Sequence, residues 1–211
     1  ANWSCLPAAA VQRGTDIVSV KRSAAAPTLE DGLFPAPLRA AEDTQWYLRR
    51  RAQVGETAWV YVPERANFVS SDRRAGSGVD YWEYYARIFY IRSYSVSAGD
   101  GVPTLCVEQL SGNRMATECL VEGVEDMQLD FGLDRDRDGT PDVYVRGAGA
   151  ADLEGAVALR IHLLLRTINP LPGQRDLRSH TLGTRRIPPR GDAYLRRVLS
   201  TTIALRNLHH T

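Results

Sequence analysis

The sequence predicts a mainly β domain, with antiparallel strands in one or two packed sheets. Three observations carry this. About eight or nine segments alternate apolar and polar residues with a period of two, or run β-branched and aromatic for the length of a strand. Clusters of Gly, Pro, Asn, Asp and Ser separate them. Little of the chain carries the longer period of an amphipathic helix.

The bulk composition narrows the function. At 211 residues and 44% apolar, the chain can bury a core and is too apolar for disorder. A net charge of +1 gives no long-range steering toward nucleic acid or an anionic membrane. Lys21 is the one lysine among 26 basic residues, and the run Arg49-Arg50-Arg51 reads as a solvated face. No apolar run approaches the ~20 residues of a membrane helix, and no signal-peptide pattern opens the chain.

In chain order, the first strand falls at Asp16–Lys21, from Ile17, Val18 and Val20. Residues 23–80 read as an irregular insertion in a single domain spanning 1–211, whose core is 81–208. Within that insertion, Leu38–Tyr47 has the pattern of a short helix and Glu56–Val62 that of a strand stopped by Pro63. Trp82–Tyr94 is a long aromatic strand, apolar on both sides and so covered on both. Val124–Phe131 sets Met127, Leu129 and Phe131 against Asp126, Gln128 and Asp130, a half-buried strand. Val157–Ile168 has the cleanest alternation; Arg175–Gly183 is a weaker strand and Leu195–Leu208 the last.

Three cysteines are present. Leu105–Leu110 and Met115–Leu120 read as a hairpin around Ser111-Gly112-Asn113-Arg114, which sets Cys106 opposite Cys119, near the separation a disulfide needs. That bridge implies an oxidising compartment. Two buried free thiols are the alternative, with Cys5 unpaired or replacing one of the two.

The stretch Asp134-Arg135-Asp136-Arg137-Asp138-Gly139-Thr140-Pro141-Asp142 crowds four carboxylates into nine positions. The spacing matches the first part of a Ca²⁺ loop. Asp134, Asp136 and Asp138 supply carboxylate oxygens, Gly139 the sharp turn, Thr140 its carbonyl, and Asp142 a direct or water-mediated contact. Val145 stands where the closing Glu belongs, so that ligand would come from Asp130 or Asp152. The alternative is a β-turn in which Asp and Gly serve turn geometry and Arg135 and Arg137 balance charge. No catalytic motif is present: no G-x-S-x-G, no phosphate loop, no HExxH and no G-x-G-x-x-G.

Several stretches together resemble the soluble part of PilW-type minor pilins of type IV pili, relatives of the type II secretion pseudopilin J. They are Cys5, Gly14–Val20, Tyr90-Ile91-Arg92, Leu120–Asp134, Val157–Arg166 and Asp192–Asn207. The family's Tyr-Gly-x-Asp appears as Phe131-Gly132-Leu133-Asp134, and residues 38–80 match nothing in it. The resemblance implies an α+β pilin fold whose N-terminal helix and leader would precede Ala1. It implies a non-enzymatic subunit, anchored in the inner membrane of a Gram-negative cell with its domain in the periplasm, then carried into the pilus. Implied partners are other minor pilins, a tip adhesin and the major pilin; implied roles are pilus priming, adhesion and twitching motility. No nucleic acid or small-molecule substrate is expected. A sheet face left apolar for the helix is a further expectation. The rival readings are a secreted Ca²⁺-stabilised adhesive module, and a hydrolase in which His162 or His180 meets an acid and a serine in a pocket.

Overall fold

The structure is a computed structural model, and it describes residues 6, 9–35, 45–51, 59–147, 153 and 155–205. It is mainly β and antiparallel, with 52% of residues in strands and 4% helical, so the expected class holds. The chain divides into two compact units: Ala1–Ile17, Tyr90–Cys106 and Cys119–Thr211 in the first, Val18–Phe89 and Val107–Glu118 in the second.

The second unit centres on Val79–Phe89 of the aromatic strand β4 (Val79–Arg92), whose last residues, Tyr90–Arg92, count with the first unit. β2 (Trp46–Arg51) pairs with Val79–Tyr84 of β4, and β1 (Val18–Ser23) pairs with its continuation, Tyr84–Phe89. β3 (Val60–Pro63) lies outside β2, while β5 (Thr104–Ser111) and β6 (Arg114–Glu122) follow β4, giving the order β3-β2-β4-β5-β6. Both faces of β4 bury aromatic or branched residues, as its two-sided apolar pattern predicts: Tyr81 and Ile91 on one, Tyr84, Ile88 and Tyr90 on the other. Phe68 stacks on Tyr81 at 3.8 Å and meets Tyr47 edge-on at 4.7 Å. Offset or T-shaped contacts of this kind add to the burial of large rings.

Three expectations change here. Most of the helix expected at Leu38–Tyr47 lies outside the described residues, and its end, Trp46–Tyr47, begins β2. Nor is Arg49 on a solvated face. Its Nε reaches Asp72 Oδ2 at 2.7 Å and its Nη2 reaches Oδ1 at 3.1 Å, while the Tyr81 hydroxyl donates to the same carboxylate at 2.8 Å. The Arg49 guanidinium, the largest influence on it, holds the buried Asp72 carboxyl below its ordinary value. The hairpin turn is tighter than expected: β5 ends at Ser111 and β6 begins at Arg114, leaving Gly112, at φ 57°, and Asn113 as the turn. Cys106 and Cys119 are nonetheless bridged, as the register predicts.

In the first unit, β7 (Val124–Leu133), β8 (Val143–Arg146), β9 (Ala156–Arg166) and β12 (Arg196–Ala204) form a four-stranded antiparallel sheet in the order β12-β9-β7-β8. The weak strand signal at 175–183 becomes β10 (His180–Leu182), joined through a turn at Gly183 to β11 (Arg185–Ile187). Leu182 and Ile187 pack with Leu164 of β9, and Val198 of β12 lies against them. Where the period of two predicts a half-buried strand, β7 is buried on both faces: Asp126 is 4% exposed, Gln128 0% and Asp130 6%. Burial of such groups requires partners, and each has one.

Candidate functional site: acidic loop, buried polar clusters and an apolar sheet face

The acidic loop joins β7 to β8. The Asp142 N–H donates to the Leu133 carbonyl at 2.9 Å, closing the hairpin at its base. Inside, Asp134 accepts the N–H of Arg137 at 2.6 Å and of Gly139 at 2.8 Å; Asp136 accepts that of Asp138, and Asp138 that of Thr140 at 2.7 Å. Arg137 and Gly139 take φ of 66° and 89°, the left-handed turns that wrap the chain around the carboxylates. Asp134, Asp136 and Asp138 each offer an oxygen within 4.8 Å of the others, while Asp142 turns to the Arg135 N–H at 2.7 Å. The cost of crowding shows in Asp136. The Asp138 N–H would lower its carboxyl, but desolvation and the like charges of Asp138 and Asp142 leave it above its ordinary value. Val145, at the closing position, is paired with Phe131 in the β7–β8 ladder. Asp130 spends its carboxylate on His162, and Asp152 lies outside the described residues. At Gly132 a Cβ would meet Pro141 at 2.8 Å and Tyr144 at 3.0 Å, so the Phe-Gly-x-Asp glycine is what lets the loop fold back on β7.

A Ser/His/Asp set, which linear spacing does not reveal, is assembled across the sheet. Ser200 pairs with His162 in the β12–β9 register, and its Oγ lies 2.7 Å from the ring Nδ1. The ring Nε2 lies 3.1 Å from Asp130 Oδ2 on β7. The readable signal was phase: the three polar positions share the face opposite Leu163, Leu129 and Leu199. The serine stands mid-strand, exposed on an edge strand rather than on a sharp turn. What this geometry does is satisfy both nitrogens of a buried imidazole and an oxygen of a buried carboxylate.

A second cluster centres on Arg196, whose side chain is 1% exposed. Its Nε and Nη2 grip Glu125 at 2.6 and 3.1 Å, its Nη1 and Nη2 grip Asp192 at 2.6 and 2.7 Å, and Nη1 also reaches Asp176 at 3.2 Å. Asp176 further accepts from Arg178 at 3.2 Å and contacts His180 Nε2 at 2.9 Å. Burial alone would raise the Asp176 carboxyl, yet the hydrogen bonds from His180, Arg196 and Arg178 bring it down to about 2. Five fixed donors and bidentate geometry make arginine the residue suited to such a node.

The other face of the four-stranded sheet is apolar and only part-covered. Met127 and Leu129 on β7 are buried, Ile161, Leu163 and Leu165 on β9 are half-buried, and Leu199 and Ile203 on β12 are 45% and 47% exposed. Exposure thus grows toward the β12 edge.

Buried charges committed to internal partners, with apolar surface left part-exposed on one sheet face, define the molecule as an antiparallel β protein. A model of the family described as Type IV Pilus-assembly protein W matches residues 88–207, more than half of the chain, and the chain belongs to that family. Its role therefore lies in type IV pilus assembly, in the Gram-negative envelope or the pilus. The match takes in the disulfide, the acidic loop, both polar clusters and the four-stranded sheet. No curated protein and no solved structure matches the chain.

Proposed function

We propose that this chain is a minor pilin that joins other minor pilins in a complex priming pilus assembly, and that this complex sits at the pilus tip beneath an adhesin. In this reading the domain lies in the periplasm before assembly, contacts the major pilin as the fibre grows, and has no enzymatic role. The observation that carries it is the family match over a sheet whose apolar face remains part-exposed at Leu199 and Ile203. That face is where a membrane-anchoring helix packs, with Ile161, Leu163 and Leu165 as its floor. Exposed apolar surface of this sort marks a partner's seat. The test is co-purification from the native host. The protein should retain the other minor pilins, and its deletion should abolish surface pili. Wild-type piliation in the deletion strain, with no minor pilin retained, would refute the reading.

The acidic loop is proposed to hold one Ca²⁺ through Asp134, Asp136 and Asp138, the Thr140 carbonyl and Asp142. Support comes from three carboxylates already converging and from the repulsion at Asp136 that a cation would relieve. Titration with CaCl₂ in a calorimeter should give saturable heat and raise the melting temperature, and Asp134→Asn should abolish both. Equal melting in Ca²⁺ and in chelator would rule the metal out.

A further inference from the structure

We propose that the gap where β2 gives way to β5 along β4 binds a single sugar ring. β1 bonds along one edge of β4 from Tyr84 to Phe89. Ala24 and Thr28 continue on that edge, donating to the Glu83 and Tyr81 carbonyls at 2.8 and 2.7 Å. A strand edge holds one neighbour at a time, so β2 and β5 share the other edge. β2 covers it along Val79–Tyr84 and begins at Trp46; β5 ends at Ser111. The Trp46 indole N–H donates to the Gly112 carbonyl and ties the start of β2 to the hairpin turn that follows β5. Between them remains a cleft of about 150 Å³, lined by Gln45, by Tyr85–Arg87 and by Gln109–Ser111. It lies in the second unit, and Gln45 and Tyr85–Arg87 fall outside residues 88–207, so the proposal does not rest on the pilus reading.

The polar groups select the ligand. Gln45 Nε2 is spent on the Tyr84 and Trp46 carbonyls at 2.8 and 3.1 Å, and Gln109 Nε2 on Glu118 at 3.2 Å. Each amide oxygen is left as an acceptor with no donor among the described residues. Ser111 adds a hydroxyl and Arg87 a guanidinium, neither of them hydrogen-bonded or ion-paired among the described residues. Tyr85 is a fixed aromatic wall: Arg22 stacks on its ring at 4.3 Å and its hydroxyl donates to Glu83.

A plain oxyanion would satisfy Arg87 but set its lone pairs against two amide oxygens. An apolar ligand would leave all four groups unpaired. Neighbouring hydroxyls on a sugar both donate and accept, so they serve the amide oxygens and the guanidinium together. Glu83 and Glu118 already stand beside Arg22 and Arg87, so the ligand needs no charge. The cleft is smaller than the ~300 Å³ at which drug-sized ligands are enclosed, which limits it to one ring.

The test is ligand-observed NMR on the full chain with D-galactose, D-glucose and N-acetyl-D-glucosamine, and with acetate and phosphate as contrasts. At least one sugar should bind saturably, with a dissociation constant of about 1–10 mM. Arg87→Gln and, separately, Ser111→Ala should each weaken that binding at least about threefold. Arg74→Gln, on the loop after Asp72, should not. Both cleft positions are only half-buried, so the melting temperatures of these variants should stay within about 2 °C of wild type. Absence of saturable sugar binding up to about 50 mM would overturn the proposal. So would binding that both cleft variants leave unchanged, or acetate or phosphate displacing the sugar as strongly as a second sugar does.

Discussion

Arg196→Met is expected to lower stability by about 3–5 kcal/mol, the range for removing one partner of a buried ion cluster. For a chain of this size the melting temperature should fall by roughly 10 °C. The effect is large because the arginine neutralises three carboxylates at once. Glu125 and Asp176, 9% and 0% exposed, lose their principal counter-charge and cannot turn to water. The methionine keeps the length and apolar stem of the side chain, so little of the loss comes from packing. The wild-type protein should also show an acid step. Asp176 sits at about 2 in the folded protein against an ordinary 3.8. Its contribution is therefore complete above about pH 4 and is lost as the pH falls toward 2. Urea unfolding at pH 7, 4 and 3 measures both effects. An Arg196→Met protein within 1 kcal/mol of wild type at pH 7 would mean that the cluster is not a stabilising node.

Cys106→Ser combined with Cys119→Ser should cost about 3 kcal/mol, the chain-entropy estimate for a loop of this length. The cysteines are 13 residues apart and the bridge ties β5 to β6. A fall of roughly 6–12 °C in melting temperature corresponds to that loss. Cys106 is fully buried, so its serine adds the cost of placing a hydroxyl there. Reduction of the wild type should reproduce most of the shift. Melting temperatures within about 2 °C with and without reductant would show that the bridge contributes little. A dependence of this size also fits a domain that matures in an oxidising compartment.

How far the sequence could be read differs from element to element. β9 was legible because Val157–Arg166 alternates without interruption, and β4 because aromatic residues occupy both of its phases. The Cys106–Cys119 pair was legible because a hairpin's register follows from its turn, even though the turn is two residues rather than four. β2 was obscured: Arg49, Arg50 and Arg51 look like a solvated run until Asp72 arrives from a distant turn to take Arg49. The short ribbon β10–β11 was half seen, since Arg185–Ile187 has too few residues to show a period.

The polar face of β7 is the sharpest case. Asp126, Gln128 and Asp130 alternate with apolar residues, and alternation speaks of water on one side. They are buried because other segments bring partners to them: Gln128 donates to the Gly14 carbonyl at 3.0 Å, Arg185 approaches Asp126 at 3.6 Å, and His162 meets Asp130. Those partners lie far along the chain.

By itself, the sequence determined the β class, the periods of its longer strands, the cysteine pairing, the spacing of the acidic loop and a likeness to a pilus family. All but the last follow from neighbours within one strand, hairpin or loop; the likeness rests on short stretches spread along most of the chain. Only the tertiary structure decided which strands adjoin, and with that the Ser200–His162–Asp130 line, the Arg196 node and the part-exposed apolar sheet face. The reason is physical. Strand order is settled by the burial gained when distant segments pair, set against the entropy of closing the loops between them. Local pattern carries no record of that balance.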